Sequence, residues 1–443
     1  MSLHTVGYDT HYILPASQDS VPEAFRSNRM AKPIPCSVQT VNVPALTGNA
    51  TPAGTSIIQI PCGASAGILM NGYLRFQVYM TGAAAAANSG FYWKGSTRSC
   101  TALINRISSY VNSVQVDNIQ NFDQVADTLF SHSTSNDWLS HDASLMLGSN
   151  TQNFLTTGNT SSATYSYCVP LIGLMGSQQA MPLYLINGQL QLQVDWNSIA
   201  RSFCEGNGAA ASGITSFVIQ NVQLVYDRVQ PEQAFIDNVR SQMMGGQKYV
   251  YGYTNYQNTT LINSTGAQQT FNYGLNVSSL RGVIANQVLS GDLTASASTN
   301  VGYSVASAAG TQVTQFVVQL DGRLMSSLTL DTVNSPATCF AEMQKSQGRI
   351  FDASITDPIV NNTGVAGTPA AAGGSYLTQY FAIAQSTQRV NEGLAFSGSP
   401  VSVVTVQVNY TGVAPAAPYS MFITFISDFQ MLIDGSGSIE LVR

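Results

Sequence analysis

Four histidines stand in the sequence, His4, His11, His132 and His141, and histidine is the side chain whose ordinary pKa suits proton transfer near neutral pH. His132 and His141 share one stretch with Asp137 and Asp142, residue types that hold a divalent metal or form an acid–base pair. The spacing of the two imidazoles does not put them on one helical or strand face, and no nucleophile sits in a recognisable elbow. The stretch reads as a surface turn after a helix. Asp434-Gly435-Ser436-Gly437-Ser438, with Glu440 beyond, opens like a calcium loop, but the chain reaches Arg443 without the bidentate glutamate of the twelfth position. It reads as a turn that ends a strand.

The other reactive residue types give no constellation. Six cysteines, Cys36, Cys62, Cys100, Cys168, Cys204 and Cys339, are scattered without a C-x-x-C pair or a neighbouring histidine, so buried free thiols and folding in a reducing compartment are expected. The 23 Asp and Glu do not cluster, and no glycine-rich phosphate loop is present. Asn361-Asn362-Thr363 forms a sequon, which carries glycan only in a secretory lumen. Trp93, Trp138 and Trp196 lie far apart, and Trp196 falls on an inward strand face, where core packing is expected. No catalytic, cofactor-binding or metal residue is assigned, and neither an enzyme nor a small-molecule substrate is expected.

Composition narrows the classes further. Apolar residues make up 44% and charged residues only 9% of the 443 positions, where soluble proteins carry about 25% charge. Close to half of the chain is therefore uncharged polar residues, Gly and Pro. The net charge of −6 and the absence of a basic block exclude a protein built to neutralise many phosphates. Ala143–Val194 and Leu293–Leu320 contain no charged residue, yet both are broken every few positions by polar residues. Neither offers the roughly 18 consecutive apolar residues of a spanning helix. Met1–Thr5 lacks the basic and apolar regions of a signal peptide, so export by that route is not expected.

Strand patterns carry most of the chain. In Gln189–Trp196, Leu190, Leu192, Val194 and Trp196 occupy every second position, the signature of a half-buried strand. Leu74–Met80 and Val404–Tyr410 alternate in the same way, and β-branched or aromatic residues enrich Thr215–Val229, Gln312–Leu320, Tyr376–Ala384 and Met421–Ile433. Helical signals are short: Asn121–Ser131; Pro336–Gln347, with Ser335 as N-cap; and Pro231–Met244, with Phe235, Ile236, Val239 and Met243 on one stripe before Gly245-Gly246. Gly82–Asn88 and Gly364–Gly374 read as protruding loops of small residues.

The two halves look like copies. Val114–Asn118 matches Val318–Gly322, Leu190–Trp196 matches Val404–Tyr410, and Val222–Asp227 matches Phe429–Asp434, with offsets of 204, 214 and 207 residues in the same order. Each half is then about 200 residues of short strands with one small helix, and such chains hide their sheet edges in a sandwich, barrel or jelly roll. The expectation is two stacked β-sandwich domains joined by the helix at Pro231–Met244.

The duplicated sandwich, the run from Leu103-Ile104-Asn105-Arg106-Ile107 to Leu129, the Val318–Arg323 strand before the Pro336 helix, and the closing Phe422–Asp434 strand resemble the double jelly-roll major capsid proteins of icosahedral DNA viruses. That lineage includes adenovirus hexons, large algal viruses, virophages, polinton-like viruses and membrane-containing phages. The resemblance implies an all-β chain of two tandem eight-stranded antiparallel jelly rolls with a few short helices. It divides into an N-terminal arm at 1–47, a first jelly roll at 48–229, a linker helix at 230–246 and a second jelly roll at 247–443. It further implies a homotrimeric, pseudo-hexagonal capsomer of the virion, assembled inside the host cell. Its partners would be neighbouring capsomers, minor capsid or penton proteins and an internal membrane near the arm, with no sequence-specific nucleic acid. The arm, with Arg26, Arg29 and Lys32 beside Asp9, Asp19 and Glu23, is nearly neutral. A surface β-sandwich adhesin or carbohydrate-binding protein, and a penton or spike protein, are the alternatives.

Overall fold

Alternation in the sequence becomes alternation in burial. Leu190, Leu192, Val194 and Trp196 turn inward along one strand, as do Leu74, Phe76, Val78 and Met80 along another and Val404, Val406, Val408 and Tyr410 along a third. The structure is a computed structural model that describes residues 36–82, 90–97, 99–134, 138, 142–148, 163–177, 180–206, 214–264, 266–294, 313–326, 329–347, 381–387, 398–410 and 418–443.

The first half holds β1 (Cys36–Pro44), β2 (Thr55–Pro61), β3 (Ile68–Gly82), β4 (Gly90–Trp93), β5 (Ile104–Val111), β6 (Val114–Gln120), β7 (Ala163–Pro170), β8 (Gln189–Trp196), β9 (Phe203–Gly206) and β10 (Ile214–Pro231). They form a sheet ordered β1-β10-β3-β7, a second ordered β2-β8-β5-β6, and the β4–β9 ribbon. Phe76 on β3 and Trp196 on β8 meet edge to face, with ring centroids 5.1 Å apart, so the two four-stranded sheets close on one core. This is the jelly-roll order, in which strands far apart in the chain become neighbours.

The second half holds β11 (Tyr249–Ser264), β12 (Gln268–Leu289), β13 (Val313–Leu320), β14 (Arg323–Leu324), β15 (Ile383–Ser386), β16 (Ser399–Tyr410), β17 (Tyr419–Ile433) and β18 (Ile439–Val442). Here β12 serves both faces. Its first part, Gln268–Gly274, pairs with β16, and its later part, Gly282–Leu289, pairs with β17 and β15. Register shifts between Gly274 and Leu280, with Asn276 at positive φ, carry the strand from one sheet to the other. The resulting orders, β11-β17-β12-β15 and β12-β16-β13-β14, repeat those of the first half strand for strand. Two antiparallel jelly rolls follow one another in the chain.

The repeat corrects one of the three sequence matches. Leu190–Trp196 and Val404–Tyr410 are equivalent, and Val222–Asp227 and Phe429–Ile433 lie on the corresponding strands β10 and β17, at different places along them. The counterpart of Val313–Leu320, however, is Ile104–Val111, one strand earlier than the Val114 strand. Both pair with the long alternating strand of their sheet and share the same succession of buried and half-buried positions. Each then turns through two residues at positive φ, Asn112-Ser113 and Asp321-Gly322, the geometry of a tight hairpin turn.

The helices stand close to their expected places, at Phe122–Ser133, Gln233–Met244 and Pro336–Ser346. Pro336 opens its helix, but Ser335 makes no side-chain cap. The Ser335 hydroxyl donates to the Asp331 carbonyl, and the Asp331 carboxylate instead takes the backbone N–H groups of Val333 and Asn334. Cys36–Pro44, inside the stretch expected as an arm, is an edge strand paired along its whole length with β10, so these residues belong to the sheet of the first jelly roll. Among the described residues no helix is long and apolar enough to cross a membrane.

Candidate functional site

The most elaborate polar construction joins the two jelly rolls. β11, the first strand of the second, runs beside β6 and the turn Gly173–Gly176 of the first. Asp117, in the middle of β6, is buried. Its carboxyl accepts the backbone N–H of Leu174 at 2.8 Å and the side-chain N–H of Asn255, on β11, at 2.8 Å. Burial pushes its pKa from 3.8 up to about 7, against the lowering effect of these hydrogen bonds. Gly173, at φ +73°, lets the turn approach: a Cβ there would stand 2.3 Å from the carboxyl oxygen.

The same seam continues on both sides of Asp117. The Tyr253 hydroxyl donates to the Val116 carbonyl at 2.5 Å, and the Tyr251 hydroxyl to the Leu174 carbonyl at 3.2 Å. Asn121, in the left-handed region just before its helix, donates to Asn258 at 2.7 Å and Thr260 at 3.0 Å. Asn286 donates to Thr128 of that helix at 2.7 Å. Arg201, on the short helix Ile199–Ser202, holds both oxygens of buried Asp123 at 2.8 and 2.9 Å and stands 5.7 Å over the ring of Phe422. These groups give directional, desolvated contacts that fix one jelly roll against the other. Between them opens a cleft of about 340 Å³ lined by Gln115, Asn118, Gln257 and Arg443 as well as Asp117 and Asn255.

The residues singled out for chemistry do not gather. His132 is buried in the helix Phe122–Ser133, and Asp142 is exposed. Asp137, His141, His4, His11 and the sequon at Asn361 lie outside the described residues. Asp434 closes the hairpin between β17 and β18, its carboxylate accepting the N–H groups of Ser436 and Ser438 at 2.8 and 2.9 Å, and Glu440 pairs with Lys248 at 2.5 Å. Among the described residues no group of three or more His, Cys, Asp or Glu is placed to hold a metal. Cys100 and Cys339 are buried free thiols, pushed up by burial and inert. Cys62 and Cys168 are half-buried, Cys36 is exposed, and the side chain of Cys204 lies outside the description. Trp196 is in the core, its ring N–H on Ser56 at 2.9 Å.

No family profile and no curated protein matches the chain by sequence. Its fold does have counterparts. The Faustovirus major capsid protein superposes with a TM-score of 0.61 at 8% identity, over 92% of this chain and 92% of that one. PBCV-1 VP54 gives 0.58 at 14%, over 93% and 97%. This chain is a double jelly roll. The mavirus major capsid protein gives 0.50 at 12%, over 98% and 95%. With both chains covered almost end to end, the likeness embraces both jelly rolls and their order. The polar seam was not legible in advance: Asp117 and Asn255 are 138 residues apart, and the one local sign was a carboxylate interrupting a β-rich run.

Proposed function

We propose that this double jelly roll is a major capsid protein, a structural subunit that trimerises into pseudo-hexameric capsomers of an icosahedral virion shell. The observation that carries the reading is the doubled strand order: two jelly rolls locked side by side give a trimer six similar units around its axis. A chain with only 9% charged residues supports it physically. Contacts poor in Lys and Glu lose less side-chain entropy and desolvate less charge when copies of the chain meet. The same low charge would be a liability for a dispersed monomeric enzyme.

On this reading the chain is not an enzyme and takes no small-molecule substrate. Its division is an arm ahead of Cys36, a jelly roll ending near residue 229, the linker helix within 230–246, and a second jelly roll from 247. The near-neutral arm meets neighbouring capsomers, minor capsid or penton proteins or an internal membrane, without sequence-specific nucleic-acid binding. Assembly takes place in the host cell interior.

The test is the mass and outline of the purified protein. Light scattering is expected to give three times 47.1 kDa, and electron microscopy a hexagonal outline. A monomer at every concentration overturns the proposal.

A further inference from the structure

We propose that Asp117 and Asn255 form a proton-operated latch between the two jelly rolls, closed while the Asp117 carboxyl is neutral and loosened when it ionises. The latch concerns the chain itself and does not depend on the capsid reading.

Three observations carry it. First, the pair is the contact itself, a carboxyl on β6 of one jelly roll against an amide on β11 of the other, with both residues buried. Second, the amide oxygen of Asn255 is buried and has no hydrogen-bond partner, an arrangement that leaves a polar group unsatisfied at the expense of stability. Turning the amide by half a revolution puts that oxygen where its nitrogen stands, 2.8 Å from the Asp117 oxygen, ready to accept the proton of a neutral carboxyl. Amide nitrogen and oxygen are interchangeable in shape, so the turn needs no other movement. Third, Gly173 and Leu174 close directly over the other carboxyl oxygen of Asp117, so the carboxyl is held in place on that side.

The charged and titratable groups around the pair do not compensate an ionised Asp117 fully. From β11, Tyr253 and Tyr256 feel its charge, and both are pushed further above the ordinary tyrosine range, chiefly by burial. The cation lining the cleft is Arg443, and Arg281 acts on Tyr256 from β12 while paired with Asp428 of β17 at 3.6 Å. Ionisation therefore leaves a buried carboxylate whose hydrogen bonds from Leu174, Asn118 and Asn255 offset its desolvation only in part. The sign follows from a folded-state pKa of about 7 against an ordinary 3.8: the latch contributes fully below pH 3.8 and loses its contribution as pH rises through about 7.

The experiment compares the full chain with Asp117→Asn, a neutral residue of the same shape, by thermal melting across about pH 5 to 9. The wild type is expected to lose melting temperature from pH 5 up to about 7 and to level off above it, and D117N to lack that component, matching or exceeding the wild type at the alkaline end. In parallel, infrared difference spectra of the wild type alone are expected to show a protonated carboxyl that disappears near pH 7, so the proposal stays testable even if D117N does not fold. Parallel melting curves for the two proteins across the range, or no protonated carboxyl in the wild type at pH 6, overturn the latch.

Discussion

Arg201 stands with its guanidinium carbon 5.7 Å from the centre of the Phe422 ring, a cation of the first jelly roll over an aromatic of the second. The same guanidinium is pinned by both oxygens of Asp123, so it is oriented before the second jelly roll meets it. A cation over a desolvated ring contributes about 0.5–2 kcal/mol. Phe422→Leu keeps much of the buried volume and removes the ring. It is expected to lower stability, and the coupling to Arg201→Ala in a double-mutant cycle of denaturant unfolding should fall in that range. Arg201→Lys should resemble Arg201→Ala more than the wild type, because an ammonium cannot hold Asp123 through two parallel hydrogen bonds.

Leu192 and Val406 occupy equivalent inward positions on β8 and β16, each essentially without exposure. Leu192→Asp or Val406→Asp forces a lone carboxylate into a sandwich core, where burial of an unpaired charge is not tolerated. Each is expected to abolish soluble, assembled protein on size-exclusion chromatography. Leu192→Ala is milder and should lose about 2–5 kcal/mol of stability through the cavity it leaves. The two aspartate variants should fail alike, since the two strands hold the same place in their jelly rolls.

How far the sequence could be read depended on the kind of information each element carries. A strand with one wet face advertises its phase, so β3, β8 and β16 were plain from alternation alone. Ile104–Val111 hid its role because Ser108 and Ser109 are buried there in succession, which breaks the alternation. The neighbouring Val-Gln-Val-Asp run of β6 then offered a better letter match to Val318–Asp321, and the repeat slipped by one strand. The hairpin turn that fixes the true correspondence is spelled Asn-Ser in one half and Asp-Gly in the other, alike in backbone and unlike in letters. The seam is harder still, since its hydrogen bonds join residues from 77 to 158 positions apart, and no local pattern marks a partner at such a distance.

Gly173 separates backbone conformation from close approach in a way that one variant can exploit. Its φ of +73° suits glycine, and an added methyl would also meet Asp117 Oδ2 at 2.3 Å and the Ile119 side chain at 2.8 Å. Gly173→Ala is expected to destabilise by more than the roughly 1 kcal/mol of an ordinary left-handed position, because the turn must retreat from β6. Combining it with Asp117→Gly should recover part of the loss, read as non-additivity in denaturant unfolding.

Asp195 shows the opposite electrostatic sign to Asp117 within the same jelly roll. Burial by itself would raise its pKa, but hydrogen bonds from Thr55 at 2.7 Å, Gln193 at 3.1 Å and Arg106 at 2.7 Å hold it below its ordinary value. These partners tie β8 to β2 on one side and β5 on the other. A depressed carboxylate contributes stability above its unfolded pKa, here 3.8, and the contribution fades as pH falls through the lower folded value. Arg106 is 37% exposed, so solvent screens the ion pair and its share is held to about 1 kcal/mol or less. Asp195→Asn is therefore expected to melt below the wild type at pH 6, with the gap closing as the pH is taken under 3.8. At pH 6, added salt should narrow the gap only in part, because the Thr55 and Gln193 hydrogen bonds carry no net charge to screen. A gap that stayed constant from pH 6 into strong acid would mean that Asp195 acts through shape alone.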